Sequence, residues 1–159
     1  MKSARIAYIA LLSALAAVFG YIESLFPLPI PIPGIKLGLS NIAVLFALIK
    51  MNRSDAFWVM LLKVLICSVL FSGMSGFIYS LSGGILSYLA MCIFKKYDFS
   101  IVGISMAGGV FHNLGQIAAA AVMLSSVGAF YYFPILMIAG LIVGTAVGSL
   151  CSAIILRLK

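Results

Sequence analysis

The chain has 159 residues, of which 65% are hydrophobic and 8% charged, and its net charge is +7. A soluble domain carries about a quarter charged residues, so this composition excludes a water-facing surface and implies a polytopic membrane protein. The basic residues stand in small clusters between apolar runs, which excludes a phosphate-tracking nucleic-acid surface.

The first run, "MKSARIAYIALLSALAAVFGYIESLFP", starts basic and turns apolar as a signal peptide does. It is longer than a signal h-region and lacks a small-x-small cleavage pattern, so it reads as a retained first span from about Arg5 to Phe26. Next comes "PLPIPIPGIKLGLSN", Pro27 to Asn41. Each proline lacks an N–H and restricts the residue before it, so Pro27 to Pro33 predicts a stiff, extended loop, with Gly34 turning the chain. A short second span then runs from Lys36 to Ile49, with Lys36 in its first turn. The third is expected near Ala56–Phe71, the fourth near Phe77–Phe94, the fifth near Ile101–Val127 and the sixth near Tyr132–Leu156. A crossing takes about 20 helical residues. The expected fold is therefore all-α, a six-helix transmembrane bundle forming a single domain over residues 1–159.

Lys2 and Arg5, Lys50 and Arg53, Lys95 and Lys96, and Arg157 and Lys159 all fall on one side of a six-span arrangement. The loops near Ser72–Ser75 and Ser126–Phe133 carry no charge. The positive-inside rule then puts both termini in the cytoplasm of a bacterial cell, with the chain in the cytoplasmic membrane. Tyr8, Trp58 and Tyr97 near inner ends, and Tyr21 and Phe130 to Phe133 near outer ends, suit the headgroup regions.

Four ionisable residues lie away from these clusters: Glu23, Lys36, Lys63 and His112. Such groups inside a span are costly unless paired or facing a wet cavity, which makes them site candidates. Lys63 lies roughly 15 Å beyond Arg53 and His112 roughly 20 Å beyond Asp98, at 1.5 Å per helical residue. All four belong to the middle or outer half, which predicts a cavity open to the outside. His112, Asn113 and Gln116 form one polar patch at helical spacing, and Asn41 adds an amide near Lys36. A helix N-terminus beside a lysine suits an anion. A structural reading stands beside this one: the patch glues helices through hydrogen bonds, and Lys63 pairs with Glu23. Gly140, Gly144, Gly148 and Ser152 form a small-residue stripe; Ala10, Ala14 and Ala17 form a second, and Ala16 and Gly20 a third. The three cysteines, Cys67, Cys92 and Cys151, make no C-x-x-C pair and read as packing residues.

The sequence has no phosphate-binding loop, nucleophile elbow, zinc-helix or aspartate-rich diphosphate motif. With three acidic residues and one histidine, no catalytic set, metal site or bound cofactor is expected. Energised transport would require partner subunits.

The segments "PGIKLGLSNIAVLFAL", "GFIYSLSGGILSYLAM" and "GGVFHNLGQ" resemble the Gx transporter family, also labelled heptaprenyl diphosphate synthase component I. The resemblance covers nearly the whole chain. That family is similar to the substrate-binding S components of energy-coupling-factor (ECF) importers, which have six helices and an outward-facing site. The resemblance implies a small-molecule substrate, and the polar residues Glu23, Lys36, Asn41, Lys63, His112, Asn113 and Gln116 are the ones expected to hold it. It also implies docking of a coupling transmembrane subunit, driven by two ATPases, on an A-x-x-x-A stripe matched by Ala10 and Ala14. Metal-importing relatives carry an N-terminal histidine segment, and "MKSAR" departs from it. The synthase label fits poorly with so apolar a chain, but it hints at an isoprenoid or quinone-related substrate. The alternative expectation is a non-catalytic membrane subunit of a prenyl-lipid biosynthetic complex.

A reporter fused after Lys159 should be active only as a cytoplasmic reporter, and activity of an external reporter at that position would overturn the assigned topology.

Overall fold

The computed structural model of the protein describes residues 2–25 and 38–158, and every regular element among them is helical. The helices are α1 (Lys2–Leu25), α2 (Asn41–Lys50), α3 (Arg53–Cys67), α4 (Gly73–Lys96), α5 (Ile101–Met123) and α6 (Phe133–Arg157). A π-helical turn, Ser68–Ser72, joins α3 to α4, and a 3₁₀ helix, Val127–Tyr132, precedes α6.

Among the described residues three helical stretches are long and apolar enough to cross a membrane: Ser3–Leu25, Arg53–Lys96 and Val127–Arg157. The 44-residue middle stretch is not one rod. Gly73, at φ 63° and ψ −167°, reverses the chain. The Tyr88 hydroxyl therefore donates to Arg53 O at 3.1 Å, and the Tyr88 ring packs edge-on against Phe57. α3 and α4 are an antiparallel hairpin. α5 has 23 residues, but His112, Asn113 and Gln116 lower its hydropathy. The outer surface is largely hydrocarbon, with Ile6, Leu11, Val69, Val122 and Ile142 exposed. Such a surface is suited to lipid rather than water.

α1 packs on α3, α3 on α4, α4 on α5 and α5 on α6, while α2 contacts all five of these longer helices. It is the plug of the bundle, and Val44, Leu45, Ala47 and Leu48 are almost wholly buried. Its length has local causes. Gly38 at φ +90° cannot belong to a helix, so α2 begins only at Asn41. It ends at Lys50 because Met51 leaves helical geometry and Asn52 caps the next helix, accepting from Asp55 N. Ten residues at 1.5 Å each reach about 15 Å, half of a bilayer core of about 30 Å. The start of α2 is consequently inside the bundle, not at its rim.

Contacts gather charged residues at one end of the bundle. Arg5 Nη2 meets the buried Asp55 Oδ1 at 2.6 Å, joining the starts of α1 and α3. Lys95 donates to Leu48 O near the end of α2. α5 and α6 run antiparallel through their glycines, so the start of α5 lies beside the later turns of α6. Their tightest crossing is Gly109 on Gly140, where a Cβ on Gly109 would stand 2.4 Å from Gly140 O. Between α1 and α6, above α2, runs an apolar groove lined by Leu12, Phe19, Ile42, Phe46, Leu150 and Ile154.

Several boundaries differ from the sequence expectation. α2 starts at Asn41, and the expected start at Lys36 lies outside the described residues. α3 stops at Cys67 and α4 begins at Gly73, leaving a single point of reversal instead of a loop. α5 stops at Met123 rather than Val127, where Ser125 takes a positive φ of 48°. Ala17 is buried with Ala16 and Gly20, apart from the exposed Ala10 and Ala14.

Gly109→Ala should destabilise the fold by about 1–3 kcal/mol through overpacking against α6. The measurement is the thermal unfolding midpoint in detergent, with the outward-facing Ile142→Ala as a control that leaves it unchanged.

Candidate ligand site at the start of α2

A helix that begins inside a bundle exposes its first N–H groups to a low-dielectric interior, where each needs a partner. The chain satisfies this locally. Asn41 N donates to Gly38 O at 2.9 Å and Ile42 N to Leu39 O at 3.1 Å. Gly38 N, one step earlier, donates to Glu23 Oε1 from the last turn of α1. From the other side, Lys63 Nζ of α3 donates to Asn41 Oδ1. Glu23 and Lys63 are 5% and 4% exposed, so a carboxylate and an ammonium both stand within the apolar bundle at the start of α2.

α5 supplies the opposite wall. His112 and Gln116, one turn apart, lie over Gly83 of α4, where a Cβ would stand 2.9 Å from His112 Nδ1 and 3.0 Å from Gln116 Cγ. A Cβ on Gly38 would stand 3.6 Å from His112 Cδ2, so the imidazole is beside the Gly38 turn. Asn113 differs from its neighbours. Its Nδ2 donates to Leu136 O of α6 at 2.6 Å, which ties α5 to α6.

The fold thus brings Glu23, Asn41, Lys63 and His112 around Gly38, from four helices and the turn before α2, with Gln116 one turn from His112 over Gly83. Asn113 turns to α6, and Lys36 lies outside the described residues. Ala10 and Ala14 are exposed on α1, away from this cluster. Among the described residues the cluster is packed, and the cavity adjoining Asn41 has room for about one water molecule.

The arrangement offers an ammonium, an imidazole and two amides, with a carboxylate holding the turn in place. That set can bind and orient a polar or anionic group. Among the described residues no three His, Cys, Asp or Glu side chains converge as metal ligands. Gly38 escaped the site expectation, although a glycine between a proline run and an asparagine-led helix signals a turn. Ser87, beside Gly108 of α5, also escaped it. One serine among several in "YSLSGGILSY" carries no distinguishing signal.

No curated protein and no solved structure matches this chain. A family model described as heptaprenyl diphosphate synthase component I matches residues 12–154, a range that contains Glu23, Asn41, Lys63, His112 and Gln116. With most of its length covered by that match, the chain belongs to the heptaprenyl diphosphate synthase component I family.

Proposed function

We propose that the chain is a ligand-binding membrane subunit of a multicomponent system, with no reaction centre of its own. The observation that carries this reading is the Lys63 ammonium, buried at the start of the plug helix on the Asn41 amide, with His112 and Gln116 on the opposite wall. Burying an ammonium costs several kcal/mol in a medium without water, which makes a lysine at this depth a functional candidate by default. A ligand that needs the charge explains its retention. The ligand class is a small anionic or amphipathic molecule whose negative part is held by Lys36, Lys63 and His112, with Asn41 and Gln116 orienting its polar groups and Glu23 fixing the Gly38 turn. Asn113 supports this wall through its tie to α6.

The finer form of the proposal is an ECF-type importer subunit with six spans and both termini in the cytoplasm. It captures its ligand from outside and passes it to a coupling transmembrane subunit driven by two ATPases. The outward exposure of Ala10 and Ala14, while Ala16 and Gly20 face inward, supports an α1 face free for such a partner. A second reading is favoured by the family description, which names a synthase component. Here the chain is a non-catalytic membrane subunit of a prenyl-lipid biosynthetic complex, and the apolar groove between α1 and α6 suits an isoprenoid chain.

Native mass spectrometry of gently purified protein should detect a bound small molecule. Lys63→Met, and Lys36→Ala with it, should lower that occupancy at least about tenfold, the equivalent of 1.4 kcal/mol. The unfolding midpoint of Lys63→Met should fall, because the buried Asn41 Oδ1 loses its donor, so occupancy is compared well below both midpoints. Wild-type occupancy in both variants would remove these lysines from the site.

Ala14→Trp should abolish co-purification with a coupling subunit and its ATPases while leaving ligand occupancy intact. Recovery of a prenyltransferase in place of an ATPase pair would select the second reading.

A further inference from the structure

Hydroxyl groups on buried helix faces ordinarily satisfy themselves by donating to the carbonyl one turn back. This chain does so repeatedly. The buried Ser13 donates to Ile9 O at 2.8 Å and Ser68 to Val64 O at 2.6 Å, and the less buried Ser82 and Thr145 do the same to Ile78 O at 2.8 Å and Leu141 O at 2.7 Å. Ser87 of α4 departs from the pattern. It is 1% exposed, and among the described residues its Oγ has no hydrogen-bond partner. The residue instead lines a small cavity between α2, α4, α5 and α6, together with Gly38, Asn41, Ser105, Gly108 and Gly144.

The space is built into the packing. A Cβ on Gly108 would stand 3.2 Å from Ser87 Oγ and 2.8 Å from Met91 Cγ, so only glycine leaves this wall open. The void has room for about one water molecule. Among the described residues no charged side chain lines it, and the Lys63 ammonium is held on the adjoining Asn41, which disfavours a cation there. Asn41 uses its Oδ1 for Lys63, leaving its Nδ2 as a donor. Ser87 and Ser105 each contribute a hydroxyl that can donate or accept.

We infer that this cavity is a binding site for a single water molecule, bridging Ser87 of α4 to Asn41 of α2 and Ser105 of α5. The water supplies the missing partner of Ser87 and fastens the start of the plug helix to the two helices behind it. Ser87 is thereby a positioning residue for Asn41, the side chain on which Lys63 rests. The inference does not depend on the ligand or on the partner subunits.

A crystal or cryo-EM map that resolves ordered water in the bundle should contain a peak about 2.7–3.0 Å from Ser87 Oγ. Ser87→Ala should lower the unfolding midpoint in detergent, because the water loses one of its anchors. A map that resolves other buried waters but leaves this cavity empty would overturn the inference. So would a Ser87→Ala midpoint equal to or above the wild type, the result expected if the substitution removes an unsatisfied hydroxyl from a dry void.

Discussion

The rest of the bundle is arranged around a helix that starts too soon. α2 is ten residues long, and its first turn lies inside a structure whose outer surface is hydrocarbon. In hydrocarbon an unpartnered backbone group costs roughly several kcal/mol, so the start of α2 has to bring polar partners with it. Gly38 and Leu39 supply carbonyls, Glu23 reaches across from α1 to take Gly38 N–H, and Asn41 projects an amide at the same level. The polar cluster follows from this backbone requirement. Once amides and a carboxylate are present, an ammonium from α3 and an imidazole from α5 can be accommodated nearby.

Two packing modes hold the walls around that start. Where α4, α5 and α6 cross, glycines let backbones approach until a Cβ would collide, as at Gly109 and Gly140. This close packing substitutes for the hydrophobic drive that is missing between helices in lipid. Side-chain hydrogen bonds add to this packing, as Asn113 to Leu136 O one turn from the Gly109–Gly140 crossing and Tyr88 to Arg53 O across the α3–α4 hairpin. A related distinction separates structural polar residues from site candidates. Asn113 is committed to a neighbouring helix, whereas Lys63, Asn41 and His112 converge on one turn. α1 is the least enclosed of the long helices, sharing an apolar groove with α6 and exposing Ala10 and Ala14. The partner proposed above would meet the molecule there.

Much of the fold was legible from the residues because it rests on patterns that act locally. Apolar runs broken by prolines, glycines and lysine clusters located the long helices to within a few residues. Where boundaries moved, one residue's backbone was responsible: Gly38 delays α2, Gly73 reverses the α3–α4 hairpin and Ser125 ends the turn after α5. Glu23, Lys63 and His112 were recognisable as candidates because ionisable groups are costly in apolar spans. The partition of Asn113 from His112 was not legible. Adjacent helical residues point about 100° apart, and only the position of α6 determines which of them meets a neighbour.

The sequence by itself determined the class of solvent, the helical content, the clustering of basic residues between spans and the identity of the polar residues within them. These follow from transfer free energies and backbone preferences that act residue by residue. The tertiary structure decided that α2 is a central plug, that Glu23, Asn41, Lys63 and His112 share one turn, that Ala10 and Ala14 face outward while Ala16 and Gly20 do not, and that Ser87 looks into a cavity. Those outcomes depend on how close two helices can come. That distance is set by glycines on one helix meeting particular atoms on another, a relation that no single segment contains.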